Sequence, residues 1–129
     1  MQTHENFIVV AQDVIDERGH VNNVRYVEWV QDIAQSHWEM KTNPKTRDEF
    51  YWILVSHHIQ YKAEALLGDV LRLKTYVKKS EGVRSTRIVE VYNKNTDKLL
   101  TTSETIWCFM SHENNKPARI PEDIIQLFS

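Results

Sequence analysis

The sequence predicts an α+β fold in which a curved antiparallel five-stranded sheet wraps around one long central helix, in the order β-α-β-β-β-β. Three observations point to it. From about Asn23 to about Lys41, polar residues recur at helical spacing while apolar residues cover much of the remaining circumference. One early and four late segments are apolar or alternate with a period of two, and turn clusters separate the later ones. The 129 residues contain no internal repeat, low-complexity tract or linker, so residues 1–129 read as a single domain.

The chain opens with Phe7-Ile8-Val9-Val10, a short strand rich in β-branched residues. In the long helix, Arg25, Glu28, Asp32, Gln35 and Glu39 form one narrow polar stripe. Val24, Tyr26, Val27, Trp29, Val30, Ile33, Ala34 and Trp38 fill the rest, which predicts burial on more than one side. Asn22 or Asn23 caps its start, and Asn43-Pro44 stops it. Thr42 to Asp48 reads as a polar loop before a mostly apolar strand from Phe50 to about Tyr61. Ala63 to Gly68 is a connection. Asp69 to Lys79 then alternates, with Leu71, Leu73, Thr75 and Val77 on one face and Arg72, Lys74, Tyr76 and Lys78 on the other. Ser80-Glu81-Gly82 and Asn93 to Asp97 are turn clusters, leaving Val83 to Tyr92 and Lys98 to Met110 as the last two strands of a meander. Pro121-Glu122-Asp123 begins a short terminal helix.

The chemistry concentrates in Asp16-Glu17-Arg18-Gly19-His20-Val21-Asn22-Asn23, directly before the long helix. An acid, an imidazole and two amides there adjoin a helix N-terminus, whose unpaired N–H groups and positive dipole end favour developing negative charge. Asp16 suits attack on a carbonyl or activation of water, and equally an Asx-turn that shapes the loop before Gly19. His20 either takes part in proton transfer or holds the turn. Asn22 is a helix cap or a ligand for substrate or water. Arg18 meets a carboxylate, a phosphate or solvent.

The run D-E-R-G-H-V-N-N-V-R-Y resembles the signature of the hotdog-fold thioesterases of the 4-hydroxybenzoyl-CoA thioesterase type, and in the same stretch plant acyl-ACP thioesterases. The resemblance extends to Ile59-Gln60-Tyr61, Gly68-Asp69-Val70-Leu71 and Arg119 to Ile124. It implies a hotdog fold and hydrolysis of an acyl-CoA or acyl-ACP thioester. Asp16 is then the general base or nucleophile, Asn23 supplies a backbone N–H that polarises the thioester carbonyl, and His20 is the third catalytic candidate. Asn22, Arg18, Tyr26, Lys74 and Lys78 are the expected substrate-binding residues. The two lysines either hold CoA phosphates or lie on a solvated face. The resemblance also implies a homodimer or homotetramer, with no cofactor beyond the CoA that is part of the substrate. Two positions depart from the pattern. Val14 stands where many relatives carry a second Asp, and Arg18 stands where the plant pattern has Asn. Two other readings stay open: a non-catalytic acyl-CoA-binding hotdog domain and a hotdog dehydratase.

Composition narrows the field. A formal charge of -2 gives no basic field for nucleic acid. Residues 1–5 lack a basic and apolar leader, and no apolar run approaches the ~20 residues of a membrane span, so the expected location is the cytoplasm. The single Cys108, in an apolar run, is expected to pack. His57 and His58 are adjacent on a strand and face opposite sides, so no metal site is expected there.

Overall fold

The structure, a computed structural model, describes residues 2–129. Strand β1 (His4–Val9) leads through a 3-10 turn at Gln12–Val14 into helix α1 (Asn23–Lys41) and helix α2 (Pro44–Glu49). Strands β2 (Phe50–Tyr61), β3 (Val70–Glu81), β4 (Arg84–Asn93) and β5 (Leu99–Ser111) follow, then β6 (Lys116–Pro117) and helix α3 (Glu122–Leu127). All pairings are antiparallel. The sheet order is β1-β3-β4-β5-β2, with β6 added to the end of β5.

The period-two pattern of β3 does what it predicts: Leu71, Leu73 and Thr75 are buried under α1, while Arg72, Lys74 and Tyr76 alternate onto the other face. Register carries this inner face across the sheet to Arg87, Val89 and Val91 of β4 and to Thr101, Ser103 and Thr105 of β5. Register shifts at Val77/Lys79 and Leu54/Ser56 are the local irregularities that bend such a sheet.

Two clusters form the core. Tyr26, Trp29, Val30 and Ile33 of α1 pack with Leu71, Leu73, Val89, Val91 and Leu100. Near the far end of the helix, Trp38 packs with Phe109, Ile120, Ile124 and Phe128, which bring α3 onto the sheet. Large apolar side chains of this kind each contribute about 1.5–3 kcal/mol when fully removed from water.

Three expectations are corrected. Helix α1 is buried along one face, and Val24 and Met40 are 62% and 69% exposed, because within one chain the sheet covers only one side. The segment read as a polar loop holds α2. Pro44 sits in its first turn, and the Asn43 side-chain oxygen accepts from the Thr46 N–H at 2.8 Å, so the residues that stop one helix start the next. A sixth strand, β6, has only two residues and leaves no periodic signal.

Candidate active site

The loop before α1 is a miniature antiparallel pair. Ile15 bridges Val21, the Asp16 N–H donates to the His20 carbonyl at 2.7 Å, and the Gly19 N–H donates to the Asp16 carbonyl at 3.0 Å. Gly19 closes the turn at φ +83°, a backbone region that strains L side chains. A second bridge, His20 to Leu66, and the Val21 N–H donating to the Ala65 carbonyl tie this loop to the segment ahead of β3.

Asp16 is fixed by that geometry. Its Oδ1 accepts from the Arg18 N–H at 2.9 Å and the His20 N–H at 3.1 Å, while Arg18 Nε stands 3.7 Å from Oδ2. The turn-shaping role and the presentation of a carboxylate are therefore one arrangement. The His20 N–H bond is the main cause of an Asp16 pKa held below the ordinary carboxylate value, with the Arg18 amide and charge adding to it against partial desolvation. Asp16 is a carboxylate at neutral pH.

Asn22 is the N-cap: its side-chain oxygen accepts from the Val24 N–H at 3.0 Å, and its carbonyl accepts from the Arg25 N–H at 2.9 Å. Asn23 is the first helical residue, and its N–H meets no acceptor among the described residues. The Tyr61 hydroxyl donates to the Asn23 carbonyl at 3.4 Å.

His20 Nε2 lies 3.1 Å from Glu64 Oε2, and its Nδ1 is buried without a partner among the described residues. Glu64 also lies 3.7 Å from Arg18 Nη2. Arg18 is thus shared between two carboxylates on an exposed rim. Glu64 is a site residue that reading the sequence missed, and Tyr61 stood out there only as part of the resembling Ile59-Gln60-Tyr61 run. Both reach the loop through the Leu66 bridge and the end of β2, and such short non-local pairings have no periodicity to find.

The structure does not gather every expected residue. Tyr26, read as substrate-binding, is 2% exposed, and its hydroxyl accepts from the Ala65 N–H at 3.3 Å. It supports the loop from beneath, inside the core. Lys74 and Lys78 make no contact with the Asp16 loop. Lys74 stands across from Glu5 and Glu90 in the sheet register, and Lys78 lies 3.9 Å from Glu104, so each has an acidic neighbour on β3's outer side. His57 is partly buried and His58 exposed, on opposite faces. No cluster of three or more His, Cys, Asp or Glu with metal-binding geometry occurs among the described residues.

A family model described as the thioesterase-like superfamily matches residues 9–128. The chain belongs to that superfamily. No curated protein matches this thioesterase-like sequence. Solved structures match its fold along nearly the whole chain. A 1,4-dihydroxy-2-naphthoyl-CoA thioesterase from Synechocystis shares 18% identity over 98% of this chain and 96% of its own, with a TM-score of 0.84. A Staphylococcus aureus protein in complex with CoA shares 18% identity over 98% of this chain and 81% of its own, at 0.86. A mutant 4-hydroxybenzoyl-CoA thioesterase complexed with 4-hydroxybenzoyl-CoA shares 17% identity over the full length of both chains, at 0.88. The fold of this thioesterase-like protein is therefore the hotdog: a curled antiparallel sheet with a long helix against its inner face.

Proposed function

We propose that the chain hydrolyses an acyl-CoA thioester, adding water across the C–S bond to release a carboxylate and the CoA thiol. The observation that carries this reading is an ionised Asp16 in the same small loop as an unengaged Asn23 N–H at the start of a long helix. That N–H and the dipole end behind it are suited to the oxyanion formed when the carbonyl is attacked. Two of the solved relatives hold CoA or a CoA ester, which supports CoA rather than a protein as carrier.

A carboxylate whose basicity is lowered is a weaker proton acceptor from water. It is a weaker nucleophile for the same reason, so Asp16 acts as general base toward water or attacks directly, with the His20–Glu64 pair in the same loop region to exchange protons. The reading requires neither metal nor redox group. A homodimer, or a pair of dimers, fits the two sheet edges left open by one chain.

The test is thioester hydrolysis followed by thiol release, over a panel from acetyl to palmitoyl with aromatic members. Asp16→Asn is nearly isosteric and should lower kcat by ~10²-fold or more with an unchanged melting curve, because amide nitrogen neither attacks nor takes a proton. A folded Asp16→Asn protein turning over at the wild-type rate would remove Asp16 from the mechanism. If neither protein hydrolyses any ester while both bind a non-hydrolysable acyl-CoA, the chain is an acyl-CoA-binding domain.

A further inference from the structure

At the other end of α1 from the Asp16 loop lies a cavity of about 220 Å³. It is walled by Trp38, Phe50, Trp52, Trp107 and Phe128, and its charged residues are Arg87 and Arg47. No Asp or Glu lines it among the described residues. His37 lies on the buried face of α1 beside it and is about 21 Å along the helix from Asn23 at the ordinary rise per residue.

Arg87 is only 7% exposed. Its Nη1 donates to His37 Nδ1 at 2.9 Å and to Thr75 Oγ1 at 3.0 Å, both neutral acceptors. A guanidinium can only donate, so the facing His37 nitrogen carries no proton. Nε and Nη2 of Arg87 have no protein acceptor among the described residues, and neither is sealed from the cavity. A buried cation without a counterion is costly, and proteins retain one where an anion completes it. Arg47 adds charge to the same cavity while its Nη1 is held by the Glu39 and Thr42 carbonyls at the end of α1.

We propose that this cavity binds a small organic carboxylate with a single aromatic ring or a compact apolar body. Its carboxylate forks onto the free edge of Arg87, the geometry a guanidinium offers to two parallel oxygens, and its body lies among the Trp and Phe rings. Size suits the class: an apolar cavity of about 150 Å³ holds benzene, so this one accommodates a one-ring acid and is too small to enclose a nucleotide or CoA. The site is separate from the Asp16 loop within a chain, and the proposal does not depend on the hydrolase reading.

Phenylacetate and its uncharged isostere phenylacetamide test it on the full chain, by intrinsic tryptophan fluorescence and titration calorimetry. Phenylacetate should saturate a change in emission, because three tryptophans line the cavity, and the amide should bind at least ten-fold more weakly. Arg87→Met should lower phenylacetate affinity at least ten-fold and leave the amide unchanged, while Asp16→Asn should alter neither. Should Arg87→Met fail to fold, Ser85→Leu keeps the cation, fills the cavity and should abolish binding. Equal binding of acid and amide would overturn the proposal. So would acid binding that survives Arg87→Met or Ser85→Leu, acid binding lost in Asp16→Asn, or no binding of benzoate, phenylacetate or phenylpropionate at millimolar concentration.

Discussion

His37 couples the stability of the fold to pH. It is fully buried, and burial, with the Arg87 charge beside it, lowers its pKa from 6.5 to about 3. The folded chain therefore binds fewer protons at this site than the unfolded chain between those values, so stability is full above about 6.5 and falls as pH drops toward 3. By pH 5 the loss from this residue is about 2 kcal/mol. His37→Gln keeps an acceptor for Arg87 without titrating, so the difference between urea midpoints at pH 7 and pH 5 should shrink by a corresponding amount. An unchanged difference would show that His37 is not held neutral. His37 was not visible as a special residue in the sequence, where one imidazole on a helix face has no local signature. Arg87 was hidden for a related reason: near the Ser80-Glu81-Gly82 turn it reads as one more surface cation, and only the register against Thr105 and Val77 turns it inward. The turn and helix-start positions of Asp16, Gly19, Asn22 and Asn23 were legible because they are set locally. Glu64 was not, because a bridge from 46 residues away brings it in.

Among the elements, α1 and the four long strands were readable because their burial imposes periods of 3.6 and two on at least ten residues each. The short pieces were not: α2 and β6 are specified by a cap and by one pairing, against no apolar face of their own. The start of α1 allows a sharper test. Asn22→Ala removes the acceptor for the Val24 N–H and should destabilise the chain by about 1 kcal/mol, seen as a melting temperature lower by a few degrees. Because Asn22 also fixes where the Asn23 N–H points, the variant should lose kcat on thioesters more than it raises KM. A pure KM effect would instead make the Asn22 side chain a substrate ligand. The irregularity in β2 matters at this scale too, since it falls at Val55, which with Ile53 is an exposed apolar residue on an edge strand.

At the scale of the molecule, β1 and β2 are both edges, and β2, 12 residues long and paired only with β5, leaves its outer side open with Ile53 46% and Val55 44% exposed. An open apolar edge of this length is a surface for pairing. The chain should run as a dimer or a multiple of one in light scattering. Ile53→Lys with Val55→Lys should shift it toward the 15.3 kDa single chain by placing charge at that edge. A wild-type monomer at micromolar concentration would refute the oligomer, and a double variant that stays dimeric would move the interface elsewhere. The strand order has a further effect on the chain as it is made. The first two strands synthesised occupy opposite margins of the sheet, so β1 has no neighbour until β3 emerges and β2 has none until β5 does, at Leu99–Ser111. Between the emergence of β2 and that of β3 the nascent chain thus carries two unpaired strands, and β2 stays unpaired until β5 follows, a species prone to misassociation. Ribosome-bound chains stalled before Leu99 should be cut readily by protease, and chains stalled with Ser111 well clear of the exit tunnel should resist.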